Sequence, residues 1–160
     1  MKNDLVNLAK ETISNNQYMT IATSNENGNA WASPVAYVFD YKYNFYWVSV
    51  PESKHQQNIN YNPNVSIAIF DSHQLWGEGV GVQIEATVER VSLVDLPKVT
   101  KLYFSREYPY GSATGAFGDG LKDLLKGKIY HFYKAIPTKV WVPDPNADVD
   151  ARIEVNLSNN

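Results

Sequence analysis

Residues 30–39, Ala-Trp-Ala-Ser-Pro-Val-Ala-Tyr-Val-Phe, constrain this chain more than any other stretch. Their period of two marks a β-strand, with Trp31, Val35, Tyr37 and Phe39 on one face and Ala30, Ala32, Ala36 and Val38 on the other. A strand that is apolar on both faces needs cover on both. One face therefore belongs to a core, and the other is expected to meet a second subunit. The turn-forming run from Ser24 to Asn29, with Gly28, joins this strand in a hairpin to an earlier one at 18–23, where Met19 and Ile21 share a face.

The rest of the chain continues in the same way. Leu5, Leu8, Ala9 and Ile13 recur at helical spacing until Asn15-Asn16 closes the segment. Aromatic and β-branched residues at 45–50 make a third strand. Ser53 then caps a helix at 54–61, which stops at Asn62-Pro63 because the residue before proline avoids the helical region. Strands follow at 65–70 and 80–89. Ser92 or Asp95 opens a helix carrying Leu96, Val99, Leu102 and Tyr103, with Pro97 tolerated in its first turn. Residues 105–120 hold four glycines and no steady period, so they form a long loop, and Tyr108, Pro109, Tyr110 and Phe117 would suit it to act as a lid. A short helix near 121–125 and a last strand at 129–142, bent near Pro137, complete the pattern. The expectation is one mainly β domain over 1–142, followed by a polar tail at 143–160 that is largely disordered.

Charge narrows the function classes. Fourteen Lys and Arg face seventeen Asp and Glu without a local basic cluster, which argues against nucleic acid and anionic membranes as partners. There is no cysteine, and His55, His73 and His131 lack the spacing of metal ligands, so no protein-bound metal is expected. The first residues lack the apolar core of a signal peptide and no stretch approaches the ~18 apolar residues of a membrane span, so a cytoplasmic location is expected. Charged residues make up 19%, below the usual share of about 25%, while aromatic residues number twenty-one. Some of that aromatic surface should be covered by a partner subunit or a flat ligand.

Most motif matches fail on context. Gly77-Glu78-Gly79-Val80-Gly81 leads into a strand and does not link a strand to a helix, as a dinucleotide fingerprint would. The glycines of 111–120 lack the Gly-Lys-Ser/Thr ending of a phosphate loop, and no Gly-x-Ser-x-Gly elbow organises a nucleophile. One segment passes. Ser49 ends a strand, Ser53 starts a helix, and Lys54 and His55 fall in its first turn, so hydroxyls, free N–H groups and a cation can converge on an anion such as a phosphate. The plain alternative is an ordinary helix cap with a solvated lysine.

The order of these pieces is similar to a known family. A helix, a hairpin with Gly28 and then Ala30-Trp31-Ala32-Ser33-Pro34-Val35, a strand at 45–50, Ser53-Lys54-His55, Asn62-Pro63-Asn64-Val65 and a strand from Gln83 to Val91 together resemble the pyridoxamine 5′-phosphate oxidase-like, FMN-binding split β-barrels. The resemblance implies a six-stranded antiparallel split barrel and a homodimer with FMN in each of two interfacial clefts. It places Ser33, Pro34, Val35 and Ala36 along the isoalloxazine and Trp47, Val48 and Ser49 on the wall toward the phosphate. Ser53, Lys54 and His55 stand where the family has Ser-Arg-Lys, and Gln83, or Gly81, stands beside the flavin.

The departures bear on activity. The oxidases proper carry an Arg where this chain has Ser33, a basic residue where it has Val38, and a C-terminal Arg-x-His run absent from residues 129–160. Tyr103 and Arg106 echo a substrate-phosphate pair at a spacing one residue short. The resemblance therefore implies a flavin-dependent oxidoreductase acting on some other small organic substrate, with no side-chain catalyst required. The rivals are a deazaflavin-dependent reductase, a flavin or haem carrier or sensor with His73 or His131 as haem ligand, and a barrel that has lost its cofactor.

Overall fold

The chain pairs neighbouring strands wherever a turn permits. α1 (Lys2–Asn15) leads into β1 (Tyr18–Ser24), and a turn with Gly28 at φ 77° returns it as β2 (Ala30–Ala36). Asn25 Oδ1 fastens that turn by accepting the N–H groups of Asn27 and Asn29. A second hairpin joins β3 (Val38–Phe39) to β4 (Phe45–Ser49) around Asp40. Then come α2 (Lys54–Tyr61), β5 (Asn64–Phe70), β6 (Gly81–Arg90), α3 (Leu96–Ser105), the short pair β7 (Glu107–Tyr108) and β8 (Gly111–Ser112), β9 (His131–Pro143) and β10 (Arg152–Glu154). The computed structural model describes residues 2–77, 79–108, 111–112, 129–147 and 149–158. The helix expected near 121–125 and most of the glycine-rich loop, with its lid role, lie outside the described residues.

The main sheet runs β2-β1-β5-β6-β9-β4-β3, all antiparallel. Its two end strands, β2 and β3, are consecutive in the chain and separated by Tyr37 alone. The sheet therefore curls until one stretch of chain serves both edges. Closure is partial, because β3 pairs with β4 only at Val38–Tyr46 and Phe39–Phe45, and β2 forms no ladder with β4. This is a split barrel. α2 packs on β1 and β2 beside the split. Among the described residues, no helix is long and apolar enough to cross a membrane.

The single strand expected at 30–39 is interrupted at Tyr37, between β2 and β3. Tyr37 and Val38 are both fully buried, and because consecutive extended residues point to opposite faces they enter different clusters. Tyr37 joins the main core with Phe45, Trp47 and Ile21, while Val38 joins a second cluster with Tyr46, Val99 and Tyr103 beneath α3. Within the chain β2 is covered on one face only. Ala30, Ala32 and Pro34 are exposed and Trp31 is half exposed.

β9 bends where its proline predicts. The register between β6 and β9 shifts at Glu85/Ala86, so Thr138 bulges beside Pro137, and its hydroxyl donates to the Glu85 carbonyl. The tail differs from expectation. β10 pairs with the end of β9, the Val155 N–H donates to the Val140 carbonyl, and Val155 and Leu157 sit in the main core. Two apolar residues inside a polar stretch were enough to dock it.

Arg106 holds the closure point. α1 has no basic residue in its last turn to meet its free carbonyls. Arg106 Nη2 donates to the carbonyls of Ser14 at 3.0 Å and Asn16 at 3.1 Å and reaches that of Ile13 at 3.4 Å, while Nη1 donates to the Tyr37 carbonyl at 2.8 Å. Its guanidinium lies 4.8 Å from the Tyr37 ring centre and 5.0 Å from that of Phe39. The Tyr37 hydroxyl completes the knot by donating to the Ile13 carbonyl. Lysine has one ammonium where four carbonyls and two rings need a fork. Arg106→Lys should therefore lower unfolding free energy by about 2–3 kcal/mol. Denaturant titration reads this directly, and a loss under about 0.5 kcal/mol would show that the knot is not structural.

Candidate functional site

Three side chains meet where β4 ends and α2 begins. Phe45 and Trp47 of β4 point into the main core, and Ser49 continues on the same side. Its hydroxyl lies 3.0 Å from that of Ser53 and 3.0 Å from His55 Nε2, and Ser53 Oγ lies 3.3 Å from the same nitrogen. Ser53 occupies the N-cap position of α2, yet its side chain makes no cap hydrogen bond. A capping serine usually spends its oxygen on the amides of the first turn. Here the hydroxyl is turned to Ser49 and His55, so the first-turn amides keep their donors for an outside acceptor.

Burial holds the His55 pKa below its ordinary value. The neutral ring accepts one hydroxyl proton at Nε2 in one tautomer. A protonated ring would donate, leaving both hydroxyl protons to turn toward an anion. Lys54 is exposed beside the cluster. On the same two elements, Trp47 Nε1 and the Gln56 carboxamide are buried without a hydrogen-bond partner among the described residues. An unpaired buried polar group costs about 1–3 kcal/mol. Such costs concentrate at functional sites.

The other expected positions divide. Ser33 is buried, with its hydroxyl accepting from Trp31 Nε1 at 3.0 Å, and Val35 leans on the main core. Pro34 is exposed and Ala36 half-buried, leaving an outward surface of small residues. Trp47 turns its side chain into the barrel and Val48 packs toward the second cluster, so neither side chain reaches the hydroxyls. Gln83 is exposed on β6, where Oε1 accepts from Arg152 Nε of the tail at 3.2 Å. Between β2 and β6 lie β1 and β5, a path of about 14 Å along the sheet at the usual strand spacing. Gln83 thus does not join Ser33–Ala36 within the chain.

Tyr103 and Arg106 are structural. Tyr103 is buried edge-on to Phe104 and Phe132, and Arg106 holds α1. No local pattern could have placed Gln56 in the interior, because a glutamine in a polar helix reads as exposed.

The model of the pyridoxamine 5′-phosphate oxidase family matches residues 6–126, and the chain belongs to that family. The haem storage protein HutZ of Vibrio cholerae is 16% identical to it, with a TM-score of 0.66 over 86% of this chain and 94% of that one. A haem-binding protein of Mycobacterium smegmatis is 16% identical with a TM-score of 0.69, covering 93% of this chain but only 57% of its own length. An FAD-binding protein of Mesorhizobium loti is 14% identical with a TM-score of 0.58 over 82% of this chain and 88% of its own. At these identities the likeness is one of fold. No curated protein matches the chain.

His55 provides a test by pH. A group whose folded-state pKa is depressed takes up its proton more readily when unfolded, so its contribution is full above about pH 6.5 and is lost as pH falls below that. In phosphate-free buffer, the wild type should lose more stability than His55→Gln between about pH 7.5 and about pH 6. Equal losses would remove His55 from the buried cluster.

Proposed function

We propose that this chain is a cytoplasmic, homodimeric FMN protein performing redox chemistry on a small organic substrate other than pyridoxamine phosphate. The observation that carries the reading is the contact of Ser49, Ser53 and His55 at a helix start whose amides have no side-chain cap. Donors without an internal acceptor suit a phosphate. Ser49, Ser53 and the first turn of α2 would hold the cofactor phosphate, with Lys54 supplying charge. The small outward residues of β2 would let a flat ring lie close to the backbone. Bound FMN would supply the electron transfer.

The protein's part is to position the ring and control access. Its separation from β2 suits Gln83 to serve from the second copy, which accounts for a cleft completed only in a dimer. The same copy would cover the exposed face of Ala30, Ala32 and Pro34. A buried Val38 and a structural Arg106 leave no counterpart of the basic groups that the oxidases proper use.

One observation favours haem as the second reading. His73 Nδ1 lies 3.0 Å from Asp71 Oδ1, an arrangement that orients the other ring nitrogen outward for a metal, and Leu75 and Trp76 of the same loop are exposed. A Soret band on the purified protein would establish that reading, and a flavin band the first. A deazaflavin would use the same phosphate site and absorb at shorter wavelength than flavin.

Lys54→Ala should weaken FMN binding about tenfold to a hundredfold, the loss of a charge-assisted hydrogen bond. Riboflavin, which lacks the phosphate, should bind almost unchanged. Equal losses for both ligands, or none, would take the phosphate away from Lys54. Light scattering at micromolar concentration should give a dimer, since an obligate interface buries upwards of ~2,000 Å². A monomer would remove the shared cleft.

A further inference from the structure

A cavity of about 300 Å³ opens at the other end of β4 from Ser49, between the Asp40 turn, the end of β6 and the start of α3. Four cations line it, Lys42, Arg90, Lys98 and Lys134, along with three acids, Asp40, Glu89 and Asp95. The acids have partners, although Asp40 and Asp95 are bonded to neutral groups and keep their charge, so the lining nets one positive charge. Asp40 accepts from the N–H groups of Lys42 and Asn44, from Asn44 Nδ2 and from the Tyr46 hydroxyl. Glu89 is paired with Lys134 Nζ at 2.8 Å, and Asp95 accepts from the Ser92 hydroxyl at 2.7 Å.

The cations are not engaged to the same degree. The side chains of Arg90 and Lys98 make no hydrogen bond or ion pair among the described residues, and Lys42 meets only the Tyr41 ring, 5.6 Å from its centre. A net charge of −3 for the whole chain makes this concentration of unpaired cations around one cavity a local feature. Arginine's planar fork grips two oxygens of one oxyanion, and two flanking ammonium groups meet its remaining charge. The volume exceeds what a bare phosphate fills, and Tyr41, 80% exposed at the rim, offers apolar surface to an attached organic group.

We propose that this cavity binds a small phosphomonoester, separately from the cofactor site at α2. Titrating the full-length, 15N-labelled protein with glycerol 2-phosphate should shift amides of residues 41–44 and 89–99 in a saturable way, while glycerol shifts none. Arg90→Gln with Lys98→Gln should weaken the affinity at these amides by about tenfold or more. Both side chains are exposed, so the fold should be kept. Succinate, a dianion without phosphate, should bind more weakly. Shifts confined to residues 49–56, an affinity indifferent to the double substitution, or succinate binding as tightly would each overturn the proposal. If the double variant fails to fold, the wild-type titration still decides, because silent amides at 41–44 and 89–99 exclude the site. The α2 amides report separately, so failure here leaves the FMN reading untouched, and the reverse also holds.

Discussion

The fold turns on the junction at Tyr37, where one stretch of backbone changes from one edge of the sheet to the other. A buried tyrosine followed by a buried valine sends two consecutive side chains into different cores. That arrangement would leave carbonyls and a hydroxyl without partners in the interior. Arg106, from beyond the third helix, supplies the donors, and the first helix supplies the acceptor for Tyr37. Three elements distant in sequence are thereby tied at one point. Because the tie lies at one end of β3, the strands beyond it are free to diverge.

Divergence is what produces the site. β4 continues past its short pairing with β3 and delivers Ser49 to the place where α2 starts. The helix arrives with its cap residue unspent and its imidazole half-buried against two hydroxyls. Trp47 and Gln56, from the same two elements, carry buried polar atoms without partners among the described residues, at a cost in stability. On the proposed reading, Lys54 would bring a point charge and His55 a pH-sensitive ring to the phosphate.

Much of the fold was legible because it is written locally. Alternation at 18–23 and 80–89, turn residues around Gly28, and Pro63 after α2 each act over a few residues, and their elements stand where the sequence places them. Ser49, Ser53 and His55 were legible for the same reason, since the short connection between β4 and α2 fixes their mutual distance. The interruption at Tyr37 was not, because the alternation runs through 35–39 without a turn residue to mark it. The docking of Val155 and Leu157 was hidden by the polar residues around them. Arg106 read as a possible ligand group for want of any local sign that α1 lacked a cation of its own. The cluster of Lys42, Arg90 and Lys98 comes from three separate elements, so no spacing could announce it.

The central claim is that the start of α2 and the outward face of β2 form one cofactor site. A crystal structure of the protein grown with FMN tests it most directly. The account predicts two copies in contact, with the phosphate within hydrogen-bond distance of Ser49 Oγ, Ser53 Oγ and the first-turn amides of α2, and the ring against Pro34 and Ala36. A phosphate bound away from Ser53, or a ring bound away from β2, would contradict it.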